Sequence, residues 1–265
     1  MNKQTGQRLP VDRLKQFVID LFLAAGVPQN DAITIADAMI AQEVRGNTTH
    51  GIRSVDMNLR GLVAGRIKPK PNHIFLSDHG MTAVLDGDHG VGIVGCMKGM
   101  RHAIKKAQSG ARAKEGSGGG GIGMVIVVRN NHSLAATPYT LEATKAGMIG
   151  ITFSNTKGSM GYPGTNARAI GNTPIGFGIP TACGDPILYD ACLTTSGGKL
   201  RQWIREGQQI PVSLQGLNPD GHPTTDPQLV LEGGTPLPIG GHKGAGLAIL
   251  VEILTGVLGL SLIHI

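Results

Sequence analysis

Along the first part of the chain apolar residues recur at helical spacing. Leu14, Phe17, Val18, Leu21 and Phe22 form one stripe, with Gly26 behind them as a stop, which predicts an amphipathic helix over 11–25. A broader stripe of Ile33, Ile35, Ala36, Met39 and Ile40 begins after Asn30 and runs to about Val44. Thr49 then reads as the N-cap of a third helix reaching about Ala64, with Gly65 at its end. These helices define an N-terminal helical region, residues 1–73.

From Ile74 the texture changes. Short β-branched runs predict strands over 74–76, 83–85, 124–128, 149–153 and 177–179, with a helix from about 94 to 108 between the second and third. The apolar run 247–258 predicts a further helix. Residues 74–259 therefore read as an α/β region. Within it, 109–123 is too rich in glycine to pack and reads as a surface insertion. It contains Gly118, Gly120 and Gly123, a formal GxGxxG. A dinucleotide fingerprint needs a strand before it and a helix after it, whereas these glycines precede a strand, so a Rossmann reading is rejected.

The most informative stretch follows the run Met124 to Val128, which is short, β-branched and not alternating, as in a strand covered on both faces. A polar tip, Arg129-Asn-Asn131, leads to His132, and Ser133 to Tyr139 opens the next helix. A strand end is a rigid mounting, and imidazole can take and give a proton near neutrality. The plainer alternative is a surface or capping histidine.

Composition narrows the classes. The 265 residues suffice for one large or two modest domains. Aromatics are only 3%, and the basic residues behind the net charge of +6 are scattered, so no nucleic-acid platform is expected. The three cysteines lack CxxC or metal-ligand spacing and read as reduced, so no metal is expected. The N-terminus lacks an apolar signal region, and the apolar run near the C-terminus contains Glu252 and is too short to span a bilayer. A cytoplasmic protein without membrane partners is expected.

Other segments carry possible ligand contacts. Thr48-Thr-His50-Gly-Ile-Arg53 sits where the third helix is predicted to start, so His50 and Arg53 could share one face and hold a carboxylate. A capped surface helix with a solvated arginine is the alternative. Asn155 to Gly158, Gly171 to Pro174 and Asp190 offer polar groups beside predicted strands. Gly240-Gly-His242-Lys-Gly-Ala-Gly246 lets backbone approach a ligand, with Lys243 as a cation.

In this order the segments resemble the type 2 malate/L-lactate dehydrogenases, with ureidoglycolate dehydrogenases, 2,3-diketogulonate reductases and piperideine-2-carboxylate reductases among their relatives. The resemblance rests on Thr49-His-Gly51, Asn131-His132 with Tyr139, Gly171-Asn-Thr-Pro174, Asp190, Asp220 to Pro227 and His242-Lys-Gly-Ala-Gly246. It implies a non-Rossmann, sulfolactate dehydrogenase-like α/β fold with a mixed, largely antiparallel central sheet. It also implies an NAD- or NADP-dependent oxidoreductase acting on a small 2-hydroxy or 2-keto acid, and a homodimeric full-length parent. His132 matches the catalytic acid/base of that family. His50, Arg53 and Tyr139 fall on the substrate side, and Thr156, Asp190, Ala191, Cys192 and Lys243 on cofactor contacts.

The chain departs from that pattern in several places. Ser54 and Asn58 stand where an arginine and a tyrosine are common, and Ser133-Leu134 replaces a small, often glycine-containing pair. Asp190 is followed by Ala-Cys-Leu rather than Met-Ala-Thr. Family members continue further, so the chain is expected to be C-terminally truncated. Its last residues, 260–265, match a translated sequencing adapter and are expected to be an artefact. The alternative to an enzyme is a non-catalytic nucleotide- or organic-acid-binding protein.

Overall fold

The computed structural model describes residues 9–111 and 121–259. Gly118 and Gly120, most of the glycine-rich insertion, and the tail 260–265 lie outside the described residues. The chain divides into two compact units, Met1–Pro138 and Tyr139–Ile265.

The first unit opens with helices α1 (Val11–Ala24), α2 (Gln29–Val44) and α3 (Ser54–Val63). The apolar stripes meet as the spacing demands: Val18 and Phe22 of α1 and Ile35 and Met39 of α2 are fully buried in one core with Ile93. At the end of α2, Gly46 takes a left-handed φ of 79°, its N–H donates to the Glu43 carbonyl, and the Asn47 N–H donates to the Gln42 carbonyl. This terminal motif satisfies the last carbonyls of the helix and turns the chain sharply. Asn47 and the residues after it are thereby fixed against α2.

The third helix differs from expectation. Thr48–His50 form a separate 3₁₀ turn, and α3 begins only at Ser54, so Thr49 is not its N-cap. The Glu43 carboxylate accepts the Ile52 N–H at 2.9 Å, and Ser54 N–H donates to the Gly51 carbonyl, which separates the turn from the helix.

Strands β1 (Ile74–His79) and β2 (Thr82–Asp86) pair antiparallel, and β2 pairs parallel with β3 (Met124–Val128). A parallel neighbour requires a crossover, here the long helix α4 (Gly92–Ala111). Val125 and Val127 of β3 lie against α4 at Gly99. The two-sided cover expected of β3 is not found: it is an edge strand, Met124 is 37% exposed and only Val128 is buried. Gly123, the last glycine of the rejected motif, has a steric role, because a Cβ there would fall on the Ala103 carbonyl of α4.

Helix α5 (Thr137–Lys145) leads into the second unit. There β4 (Gly150–Phe153) precedes a two-stranded pair, β5 (Met160–Gly161) with β6 (Arg168–Ile170). Next come β7 (Ile175–Ile179) and β8 (Ile187–Ala191), giving an antiparallel sheet in the order β4-β7-β8. Helix α6 (Gly197–Glu206) is capped by Ser196, whose hydroxyl accepts the Lys199 N–H. Then follow β9 (Gly216–Leu217), β10 (Pro223–Thr224), α7 (Pro227–Leu231) and β11 (Thr235–Pro236), the strands pairing antiparallel as β10-β9-β11. Leu200, Trp203, Ile210 and Val230 form one core cluster, and Met160, Leu193 and Ala248 another.

The last helix, α8 (His242–Glu252), starts five residues earlier than its apolar run, so His242 and Lys243 lie within its first turn; a π-helical turn, Ile253–Val257, follows it. Gly244 permits this early start, since a Cβ there would fall on the Ile239 carbonyl. No helix among the described residues is long and apolar enough to cross a membrane.

Candidate functional site

The polar tip after β3 is an anchor for His132. Asp86, 1% exposed at the end of β2, accepts the Arg129 guanidinium through both carboxylate oxygens and also accepts the Asp88 N–H at 2.8 Å. The Arg129 hydrogen bond holds the Asp86 carboxyl below the usual carboxylate range, against the burial that pushes it up. A depressed carboxylate pKa stabilises the fold above the unfolded value of about 3.9, and that stability is lost as pH falls through the folded value. In Asp86→Asn the acid limb of a stability-versus-pH curve, followed by urea denaturation, is therefore expected to flatten. A limb of unchanged steepness would contradict the role given to this pair.

Beyond Arg129, the Asn130 amide donates to the Gly92 carbonyl at 3.1 Å and the Cys96 sulfur at 3.2 Å. The Asn131 amide donates to the carbonyls of His89 at 2.8 Å and Gly90 at 2.9 Å. Two asparagines thus tie the loop to the start of α4. Burial pushes the Cys96 thiol up to about 12, so it stays protonated.

His132 itself reaches solvent, but its ring is constrained on two sides. The Leu134 N–H donates to His132 Nδ1 at 3.2 Å, and the His50 ring stacks on it with centroids 5.9 Å apart at 15°. Leu134 makes that contact at a left-handed φ of 63° with its side chain in the core, a conformation costly for a non-glycine residue. Desolvation by the surrounding structure lowers the His132 pKa, and the His50 charge lowers it further. With Nδ1 accepting, the neutral ring carries its proton on Nε2.

The structure therefore brings His50 and His132 together. Arg53 is exposed, immediately before α3, and the His50 turn is a different element. The Glu43 carboxylate takes the Ile52 N–H, two residues before the start of α3. Ser54 and Asn58 turn inward, 5% and 1% exposed, with the Asn58 amide donating to the Ser54 carbonyl at 2.8 Å. Glu43 is a residue that the sequence reading missed, because nine positions separate it from its partner.

The second unit gathers most of the remaining candidates. Thr156 Oγ1 donates to Asn172 Oδ1 at 2.7 Å and accepts the Asn172 N–H at 2.9 Å; the Asn172 amide donates to Cys192 Sγ at 3.2 Å. Asp190 and Ala191 precede Cys192 on β8. Burial, with the Asp190 charge, pushes the Cys192 thiol up to about 11, which removes it as a thiolate nucleophile near neutrality. Beside this cluster, the buried Thr173 hydroxyl and Glu252 Oε1 lack a hydrogen-bond partner, and burial raises the Glu252 pKa against a hydrogen bond from Gly171 N–H. Glu252 had one sequence signal, an acid within the apolar run.

Lys243 is exposed in the first turn of α8. A cavity of about 780 Å³ is lined by Asn166, Ser213, Gln215 and Pro238 among others, and by Gly240 and Gly241, which precede α8 in the chain. Tyr139 is 3% exposed in α5. The cavity lining includes none of Thr156, Asp190, Ala191, Cys192 and Lys243. No group of acidic, histidine and cysteine side chains fit to hold a metal occurs among the described residues.

Comparison with known proteins gives a consistent picture. The sequence model of a family described as malate/L-lactate dehydrogenase matches residues 9–264. The malate dehydrogenase of Pyrococcus horikoshii is 34% identical over 259 residues, 95% of this chain and 69% of that protein. Among solved structures, the sulfolactate dehydrogenase from Methanocaldococcus jannaschii superposes with a TM-score of 0.83 at 34% identity, covering 93% of this chain and 68% of that one. The malate dehydrogenase from Entamoeba histolytica gives 0.87 at 29% identity, covering 96% and 72%. The fold is accordingly the sulfolactate dehydrogenase-like α/β fold, its strands distributed here over small mixed and antiparallel sheets.

Proposed function

This chain belongs to the malate/L-lactate dehydrogenase family, and from that premise we propose that it transfers a hydride between NAD or NADP and a small 2-hydroxy or 2-keto acid. The observation that carries the proposal is His132, an imidazole anchored at a strand end, held by the Leu134 N–H and stacked on His50. Its relatives include a malate dehydrogenase and an L-sulfolactate dehydrogenase, which supports the substrate class.

When bound, the nicotinamide supplies the hydride acceptor in oxidation and the hydride donor in reduction. Thr156, Asp190, Ala191, Cys192 and Lys243 are the residues that would hold the cofactor, with the unpaired Thr173 hydroxyl beside them. His132 handles the proton: it removes the hydroxyl proton of a 2-hydroxy acid in oxidation and returns it to the carbonyl oxygen in reduction. In reduction the proton would be given by the imidazolium form of His132, which is left as neutral imidazole; the Leu134 N–H on Nδ1 favours the neutral ring with its hydrogen on Nε2. Taking up a proton requires Nδ1 to carry its own and to release the Leu134 amide.

A pH prediction follows. Desolvation first, and His50 second, lower the His132 pKa from 6.5. The neutral base form therefore persists below the ordinary histidine range, and kcat/KM for oxidation is expected to fall only at lower pH. His50→Gln removes the neighbouring charge and should move that limb toward the ordinary value; a limb that stays in place would contradict the coupling.

Steady-state consumption of NADH and NADPH by the purified chain with a panel of small 2-keto acids tests the function. Turnover with at least one acid is expected. A second reading, non-catalytic binding of a nucleotide or organic acid, is favoured by the inward-turned Ser54 and Asn58, which stand where an arginine and a tyrosine are common. Nucleotide binding without turnover across the panel would select it.

A further inference from the structure

Glu43, in the last turn of α2, holds both ends of the segment that carries His50. Its carbonyl accepts the Gly46 N–H at 3.0 Å, and its carboxylate accepts the Ile52 N–H at 2.9 Å. A backbone N–H can only donate, so the Glu43 oxygen is the acceptor. Between these two anchors the chain closes on itself, the His50 N–H donating to the Asn47 carbonyl at 3.1 Å and the Gly51 N–H to the Thr48 carbonyl at 3.3 Å. The turn also lies directly on Glu43. Gly51 is buried, and a Cβ on it would fall on Glu43 Oε2 and come within 3.2 Å of Glu43 Cα.

The frame behind Glu43 is well packed. Ile35 and Met39 of α2 are fully buried in a core shared with Ile93 and Val94 of α4, and the loop before His132 is tied to the start of α4 through the Asn130 amide on the Gly92 carbonyl. Helix α2 thus supports His50, α4 supports His132, and the two supports meet where the rings stack with centroids 5.9 Å apart. We propose that Glu43 is a positioning residue whose carboxyl group holds the His50 turn so that the His50 ring lies against His132. Gly51 is its counterpart, since only a residue without a side chain lets the turn rest on that carboxyl group. The inference rests on the proposed function only for its consequence in turnover; the ring geometry belongs to the first unit and is read without cofactor or substrate.

Proton NMR of the histidine rings tests it on the ligand-free full chain, with His50→Gln and His132→Gln supplying the assignments. The wild-type protein is expected to show an NOE between the two rings and a His132 pKa below the ordinary 6.5, since burial and then the His50 charge lower it. Glu43→Ala should abolish the NOE and raise the His132 pKa. Loss of a negative charge by itself lowers the pKa of a nearby imidazole, so an upward shift has to come from the His50 ring moving away. Glu43→Gln loses the same charge but keeps an acceptor oxygen, and should keep both the NOE and the lowered pKa. Gly51→Ala keeps the carboxylate but forces the turn off it, and should reproduce the Glu43→Ala spectra; it decides the matter if Glu43→Ala fails to fold. In Glu43→Ala kcat/KM is expected to fall about tenfold, within the roughly 10²-fold that about 1 Å of misplacement can cost, and Glu43→Gln should restore most of it.

An NOE and a His132 pKa that are the same in Glu43→Ala as in Glu43→Gln would overturn the proposal, even if the urea midpoint fell, because Glu43 would then be structural only. Wild-type spectra without the ring-to-ring NOE would overturn it as well. The spectra need neither cofactor nor turnover. A chain that shows them but lacks activity therefore refutes the proposed function and not this inference.

Discussion

Replacing His132 by glutamine is expected to lower kcat/KM for 2-keto acid reduction by about 10²–10⁴-fold, the usual contribution of a positioned acid/base. Each factor of ten corresponds to about 1.4 kcal/mol of transition-state stabilisation. The fold should survive. The residue reaches solvent, and its side-chain contacts are the stack on His50 and the bond from the Leu134 N–H, which a glutamine oxygen can also accept. An unchanged urea midpoint with lost turnover separates a chemical role from a structural one. Full turnover in this variant would remove His132 from the mechanism.

Gly92→Ala should produce the largest structural effect near the site. Gly92 is the first residue of α4, and a Cβ there would fall on the backbone carbonyls of both Asn131 and His132. Neither can yield as a flexible side chain would. The Asn130 and Asn131 amides hold the same loop to Gly92, His89 and Gly90, so the loop must move as a body. Overpacking of this kind costs about 1–3 kcal/mol, and the better helix propensity of alanine offsets less than about 1 kcal/mol of it. A lowered urea midpoint together with a fall in kcat is expected. A variant as stable and as active as wild type would show that the loop is not pinned where the structure has it.

Periodicity made the helices of the first unit legible because each buries one stripe and stops at a glycine. The start of α3 was not legible, since it depends on Glu43 reaching Ile52 across the end of α2. The same holds for the site. His132 stood out from the strand and polar tip before it, but its pairing with His50 arises from tertiary packing of segments about eighty residues apart. The shared helix face expected of His50 and Arg53 is not formed, because His50 lies in a 3₁₀ turn and α3 begins at Ser54. In the second unit the pairs β5–β6 and β9–β11 are two or three residues per strand, too short for alternation to register. Helix α7, which the apolar pattern did not reveal, is capped by the Asp226 carboxylate accepting the Gln228 N–H, with Pro227 as its first residue.

The early start of α8 has the same origin. Its apolar run marks where the helix is buried, whereas its first turn is set by close approach of Gly244 to the Ile239 carbonyl. Lys243 consequently stands on a helix and not on a loop before one.

The most direct test of hydride transfer uses NADH and NADPH deuterated at C4 of the nicotinamide, with the 2-keto acid panel and mass analysis of the product. Deuterium bound to C2 of a 2-hydroxy acid is expected with the wild-type chain and should be nearly absent with His132→Gln. Binding of the nucleotide with no deuterium transferred to any acid of the panel would contradict the account.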